Sequence, residues 1–421
     1  MKRERILLCL AHMSGREMEF IEEAFAQNWV VPMGPNVNGF EADLEAFVNS
    51  REGAAPLHKS VVGLSAGTAA VHLALIGCGV GSGDEVMVQS FTFCASSHPV
   101  RYLGATPVFV DSEPETWNMD PDLLDEAIRD RIAKTGRKPK AIVPVALYGM
   151  PYQADRIMEV AGRYDIPVIE DAAEGFGSRF DGQVLGTFGR YGVLSFNGNK
   201  MITTSGGGAL ICDDEAAKRE ILFYATQARE SYPYYQHEHI GYNYRMSNIC
   251  AGIGRGQMTV VDEHIAHHRH VQALYAELLA DVRGVTLHVN PSPRYDSNFW
   301  LCAVTLDPDL HVRGQEQAYK AVVSGAVGGA AGVTHTATSA TTDCQPNANV
   351  EAMRVALDAA NIEARPVWKP MHRQPVYAGS PAYVNGVSES IFRVGLCLPA
   401  GPWVTDDDVR YIVDTIKASI D

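Results

Sequence analysis

"YGVLSFNGNKMITTSGGGALICD", residues 191 to 213, sets two apolar runs on either side of a polar turn that carries Lys200 and closes on three consecutive glycines. Runs of this length without polar alternation read as strands buried on both faces. A surface lysine needs no such setting, whereas one that must meet a ligand is well served by glycines, which let backbone come close. Five further runs precede it: "SVVGLSAG" (60–67), "DEVMVQS" (84–90), "TPVFVD" (106–111), "KAIVPVAL" (140–147) and "IPVIEDAA" (166–173). Helical patterns over Thr68–Cys78, Asp120–Lys134 and Gln153–Tyr164 separate several of them. Strands alternating with helices predict an α/β domain with a mostly parallel seven-stranded sheet between helices, and a ligand site at strand ends.

Outward from that sheet, Ser14 with Glu17 reads as a capping box opening a helix to about Gln27. A helical pattern runs from Ser247 to about Leu279, broken by Gly252, Gly254 and Gly256. Then come short strands in "GVTLHV" (284–289) and "FWLCAVTL" (299–306), a helix over 349–361 and a last helix from Thr405. This divides the chain into a large α/β domain with an N-terminal arm, 1–265, and a smaller α+β domain, 266–421. Within the second, 324–349 is rich in Gly, Ala, Ser and Thr and reads as a flexible insertion.

A formal charge of −15 gives no electrostatic footprint for nucleic acid or an anionic membrane. The apolar run Ile6–Ala11 is too short for a signal core, and no stretch approaches the roughly 20 apolar residues that span a bilayer. Eight scattered cysteines without a CxxC pair read as reduced packing residues. The expected location is the cytoplasm.

Three motifs end strands of the one sheet. In "SAGTAA", Gly67 leaves a strand and Thr68 opens a helix. The turn is either a phosphate seat, since a helix start offers free N–H groups and positive potential, or a tight connection capped by Thr68. In "VIEDAAEGFGS", Glu170 and Asp171 fall on opposite faces of a strand end, where an acid serves as metal ligand, cofactor partner or cap. In the opening stretch, Ser195 and Lys200 add a hydroxyl and an amine to the same crevice. A phosphate seat, a carboxylate and a lysine together suggest pyridoxal 5'-phosphate, whose aldehyde condenses with an amine, whose ring nitrogen needs an acid and whose phosphate needs donors.

At these residues the chain resembles the fold-type-I pyridoxal phosphate enzymes, and within them the DegT/DnrJ/StrS sugar aminotransferases. The resemblance runs from "NWVVPMGPNVNGFE" (28–41) through "GLSAGTAAVHLAL", "QSFTFCAS", "EDAAEGFGS", "SFNGNKMITTSGGG" and "GYNYRMSNI" to "ARPVWKPMHRQPVY" (364–377). It implies an aspartate-aminotransferase-like fold in which Lys200 bears the cofactor and Asp171 pairs with its ring nitrogen. Phe93 would stack on the ring, and Gly67, Thr68 and Ser195 would hold the phosphate. Glu174 would stand near the phenolic oxygen, where the family more often has Gln or His. Asn243 would reach the phosphate bound to a neighbouring subunit, so that a homodimer shares its sites.

The resemblance further implies transfer of an amino group, from glutamate as donor, to a keto sugar carried on a nucleotide. "RPVWKPMHRQPVY" is similar to the subgroup that aminates C4 of UDP-4-keto-6-deoxy-N-acetylhexosamines in bacillosamine and exopolysaccharide pathways. Arg365, Lys369 and His372 would there meet the donor carboxylate or the diphosphate, or else form a loop of solvated charges. Arg373 stands where that subgroup leads one to expect an apolar residue. GDP-4-keto-6-deoxymannose, as in perosamine synthesis, is the alternative substrate.

Other signals point elsewhere and are weaker. The glycines of "GCGVGSG" (77–83) lie between a helix and the next strand, the reverse of a dinucleotide-binding turn. "HIAHHRH" (264–270) lacks a matched acid and reads as a solvated helix, with no metal expected. The five tyrosines of "SYPYYQHEHIGYNY" (231–244) suit dimer packing or a nucleotide base. A non-transaminating relative, a sensor and a catalytically silent scaffold remain as other classes. Lys200 speaks against the dehydratases, which resemblance leads one to expect with histidine there.

Overall fold

The computed structural model describes residues 3–51, 53–319 and 344–421. All seven apolar runs form strands: β1 Ser60–Leu64, β2 Glu85–Gln89, β3 Thr106–Val110, β4 Ala141–Val143, β5 Ile169–Asp171, β8 Tyr191–Ser195 and β9 Gly208–Cys212. β3, β2 and β4 pair in parallel, as do β5 and β8, while β9 runs antiparallel between β8 and β1. Single parallel bridges, Ile142 to Val168 and Val145 to Asp171, join the β4 and β5 edges. The carboxyl ends of the parallel strands therefore share one rim, which is where an α/β sheet offers a crevice. β14, Ala382–Tyr383, comes from the far C-terminal segment and adds in parallel to β3. No apolar run announces so short an edge strand.

Helices cover this sheet: α3 Gly67–Gly77, α4 His98–Tyr102, α5 Pro121–Thr135, α6 Ala154–Tyr164 and α7 Glu215–Ala225. Buried residues run from Gly67 through Leu75 of α3 with Thr68 as the one half-buried exception, so this helix is core on nearly every side. α5 begins on Asp120, whose carboxylate accepts from the N–H of Asp122 and Leu123, and ends on the left-handed Gly136.

The N-terminal arm holds α1 Glu17–Ala26 and α2 Pro35–Val48, both packed on α8 Asn248–Met258. The expected capping box is displaced. The helix opens at Glu17 itself, whose carboxylate takes the N–H of Ser14 and Gly15 and the side-chain amide of Gln257 in α8. The break expected at the α8 glycines is also displaced, falling between Met258 and α9, Val261–Leu279. The glycines instead permit close helix packing. A Cβ on Gly254 would stand 2.7 Å from the Phe40 ring, and one on Gly256 2.8 Å from Glu17 Cα.

A second sheet, antiparallel throughout, contains β10 Val285–Leu287, β12 Cys302–Leu306, β15 Gly395–Leu398 and β13 Arg365–Pro366. α9, α10 Ala348–Ala359 and α12 Asp406–Ser419 pack with it around their own core, while α11 Val387–Val394 joins the main one. A small ribbon of β6 Arg179–Phe180, β7 Gln183–Val184 and β11 Tyr295–Asp296 joins the two regions. α9 runs unbroken through 265 and 266: Val261 and Ile265 belong to the first core, Val271, Leu274 and Tyr275 to the second. Of the expected insertion, 324–343 lies outside the described residues. Within 344–349, Gln345 and Ala348 are exposed, while Cys344 and Asn349 are buried and the Asn349 amide donates to the carbonyls of Asp307 and Leu310.

The histidine-rich stretch of α9 is solvated on one side only, where His270 is exposed and meets Asp406 at 2.7 Å. His264 and His268 are buried against the carbonyls of Met201 and Phe299, and burial pushes the His268 imidazole down to about 3, leaving it neutral. Among the described residues, no helix is long and apolar enough to cross a membrane. All eight cysteines are free thiols.

Candidate active site

The rim formed by the ends of β1, β2, β5 and β8 opens into a cavity of about 340 Å³. Gly67, Thr68, Phe93, Asp171, Glu174, Ser195 and Lys200 all line it. These residues span 134 positions of sequence, from 67 to 200, and only the parallel strands bring them to one place.

Lys200 follows β8 on a turn in which its own N–H donates to the Asn197 carbonyl. Its Nζ lies 3.5 Å from Glu174 Oε1 and 3.8 Å from the centroid of the Trp300 ring. Glu174 is buried, with its other oxygen accepting the N–H of Tyr148 at 2.7 Å. Burial pushes this carboxyl above the usual range, Lys200 and the Tyr148 N–H pull it down, and nearby Asp171 raises it again.

Asp171 ends β5 and is buried. Its Oδ2 accepts the Ser96 hydroxyl at 2.6 Å and its Oδ1 the N–H of Ala173 at 3.2 Å; Ser96 in turn meets Thr92 Oγ1 at 2.8 Å. Burial raises this carboxyl too, against the opposing pull of Ser96, Ala173 and Lys200. Its neighbour Glu170 faces the other side of the sheet, as strand alternation requires, and accepts the N–H of Gly186, Phe188 and Gly189. One acid anchors a loop; the other faces the cavity.

The start of α3 has Ala66 as its N-cap, so a methyl group stands where a capping hydroxyl would compete for the first N–H groups. Thr68 is inside the helix and does not cap it. Gly67 abuts Ser195, since a Cβ there would stand 3.0 Å from the serine Cβ. The third glycine after Lys200 completes the seat: a Cβ on Gly208 would come within 2.5 Å of the Ala66 carbonyl carbon. Gly206, by contrast, meets nothing within 4 Å. Phe93 is half exposed at the mouth, its ring 5.3 Å from that of Trp368.

Four expected residues are not brought to this cavity. Asn243 is exposed, bridged in backbone to Thr226. Arg365 is exposed and paired with Glu363 at 2.7 Å. His372 is turned to Ser90 Oγ at 2.7 Å and Glu389 at 3.1 Å. Lys369 lines an adjoining hollow of about 330 Å³ that shares Thr92, Phe93 and Trp368 with the main cavity. The wall residue from this segment is Trp368 itself. Ser96, Trp300 and Trp368 carry no sequence signal that separates them from ordinary core residues, because their role comes from what they touch.

An amine, a buried carboxylate, an aromatic face at the mouth and an uncapped helix start are the donor set that pyridoxal 5'-phosphate requires, and they converge here. A profile of the DegT/DnrJ/EryC1/StrS aminotransferase family matches residues 12–324 and 315–417. The chain belongs to this aminotransferase family. It is similar to EpsN of Bacillus subtilis (strain 168), whose assignment as a pyridoxal phosphate-dependent aminotransferase is provisional, with 41% identity over 98% of this chain and 95% of that protein. It is 32% identical to GDP-perosamine synthase of Escherichia coli O157:H7 over 96% of both chains. Among solved structures, a DegT DnrJ EryC1 StrS aminotransferase from Brucella abortus superposes with a TM-score of 0.80 at 25% identity, covering 96% of this chain and 95% of that one. The fold is that of fold type I, the cofactor is pyridoxal 5'-phosphate, and the enzyme is an aminotransferase acting on nucleotide-linked keto sugars.

Proposed function

We propose that this aminotransferase moves an amino group from L-glutamate to C4 of UDP-4-keto-6-deoxy-N-acetylglucosamine, giving a UDP-4-amino sugar for glycan biosynthesis. The observation that carries the chemistry is Lys200 Nζ in one cavity with Glu174 and Asp171. The similarity of "RPVWKPMHRQPVY" to the UDP-sugar subgroup supports this substrate, and 32% identity to a GDP-perosamine synthase keeps GDP-4-keto-6-deoxymannose as the alternative.

The cofactor, when bound, supplies a carbonyl that takes up the donor's amine and a ring that accepts the electrons released at the α-carbon. The chain's residues do the rest. Asp171 would hold the proton on the ring nitrogen, and its own position is held by Ser96. The N–H groups at the start of α3, with Thr68 and Ser195, bind the phosphate. Phe93, at the mouth of the cavity, would cover the ring. Lys200 Nζ would accept the proton at the donor's α-carbon and hand it on, as general acid–base work. Lys369, which lines the adjoining hollow, would meet the anionic part of a substrate that extends beyond Phe93 and Trp368.

Protein mixed with pyridoxal phosphate, glutamate and the UDP keto sugar should release 2-oxoglutarate in step with an amino sugar seen by mass spectrometry. Amination of GDP-4-keto-6-deoxymannose alone would move the assignment to the alternative substrate.

The site is completed in a homodimer, by this proposal, through Asn243 reaching the phosphate held by the other subunit. Exposed apolar residues in the arm, Met18, Phe25, Trp29, Val30, Val31 and Met33, support an interface. Asn243→Ala should weaken cofactor retention about tenfold, the usual scale for one bond to a charged group. Titration of the apo-protein with cofactor measures this, and an unchanged affinity rejects the cross-subunit contact.

A further inference from the structure

Trp300 touches Lys200 more closely than any family motif foretells. It is 2% exposed, and its ring face lies 3.8 Å from Lys200 Nζ. Its indole N–H donates to the carbonyl of Asn199, the residue just before Lys200, at 2.6 Å. One side chain thus holds both the peptide that carries the lysine and the amine at its end.

Trp300 is itself fixed from two sides. Its backbone N–H donates to Asn298 Oδ1 at 2.8 Å, and the Asn298 amide donates to the carbonyls of Glu174 and Phe176. Phe299 takes a left-handed φ of 47°, a conformation that costs a bulky residue energy unless its surroundings hold it. The holding group is His268 of α9, whose Nδ1 lies 3.1 Å from the Phe299 carbonyl. A carbonyl only accepts, so Nδ1 carries the proton.

We propose that Trp300 is a positioning residue for Lys200, its indole face seating the amine while that amine is not bonded to cofactor. This rests on Lys200 being the cofactor-bearing lysine. The amine side chain is only 14% exposed and has lost most of its water. An aromatic face favours the charged ammonium by its quadrupole, and more so when water is excluded. Between Trp300 and Glu174 the freed amine stays beside the reacting atoms instead of swinging out through the mouth. The other titratable groups acting on it are Asp171 and Cys9, and the Cys9 thiol also meets the Trp300 side chain, so variants that keep the indole in place are the cleaner comparison.

The test begins with wild-type holoenzyme, reduced with borohydride and digested. Cofactor mass on the Lys200 peptide establishes the lysine, and its absence there refutes that premise separately. Fluorinated tryptophans of rising fluorine number are then placed site-specifically at 300, keeping shape and N–H while draining the ring face. In enzyme loaded with pyridoxamine phosphate, where Lys200 is free, the rate at which acetic anhydride labels its amine should rise stepwise, about threefold over the series. Trp300→Leu should lower kcat about tenfold with KM for glutamate unchanged. A labelling rate that stays flat across the fluorinated series overturns the proposal, since a merely structural tryptophan would give that result.

Discussion

Lys200→Ala is expected to abolish turnover, with kcat falling by at least about 10³-fold, because proton transfer by a placed side chain is worth 10² to 10⁴. The variant should also lose borohydride-trappable cofactor. Two features make the loss hard to rescue. Lys200 is the lysine among the residues lining the cavity, and the acid nearest it, Glu174, is engaged by the Tyr148 N–H. The fold should survive, because the side chain makes one long ion pair at 3.5 Å and one contact with the Trp300 ring, and is not part of a core cluster. Circular dichroism and rapid quench with glutamate check both halves of the expectation. Retention of full activity would remove Lys200 from the chemistry.

Asp171→Asn is expected to keep a fraction of the cofactor while losing about 10² to 10³ in kcat, the scale of removing one preorganised electrostatic partner. The amide has the shape of the carboxylate: its oxygen can keep the Ala173 N–H while its NH2 donates to Ser96 Oγ, whose own proton then turns to Thr92, so the pocket keeps its form. It lacks the charge that holds a proton on the ring nitrogen. The same reasoning predicts no loss of thermal stability in the apo-protein. Asp171 is buried with its carboxyl raised by desolvation, so neutralising it relieves a cost of burial rather than breaking an ion pair. An apo-protein melting no lower than wild type, with activity reduced in the loaded enzyme, is the expected pair of results. Unchanged kcat would sink the assignment.

The two predictions differ in how far the sequence leads to them. Lys200 stands out by its setting of Asn, Gly, Ser and Thr between apolar runs. Asp171 does not stand out from Glu170 until the strand is built, since both are acids at one strand end. Alternation sends Glu170 to the loop at 186–189 and Asp171 to the cavity. The glycines of α8 carry the opposite lesson. As helix breakers they predict an interruption, whereas contact with Phe40 and Glu17 shows them to be what lets three helices pack.

By itself the sequence determined the seven strands, the helices between them and the residues whose chemistry suits the cofactor. Those features depend on local apolar patterning and on residue type, which a linear reading sees. The tertiary structure alone decided that β9 runs antiparallel, that β14 returns to the first sheet, and that His264 and His268 point inward. It decided as well that Arg365 and His372 find partners away from the cavity, and that Trp300 and Trp368 wall it. These depend on contacts between segments far apart in the chain. A tryptophan in an apolar run has the same local signature whether it faces a core or an amine, and only packing tells the two apart.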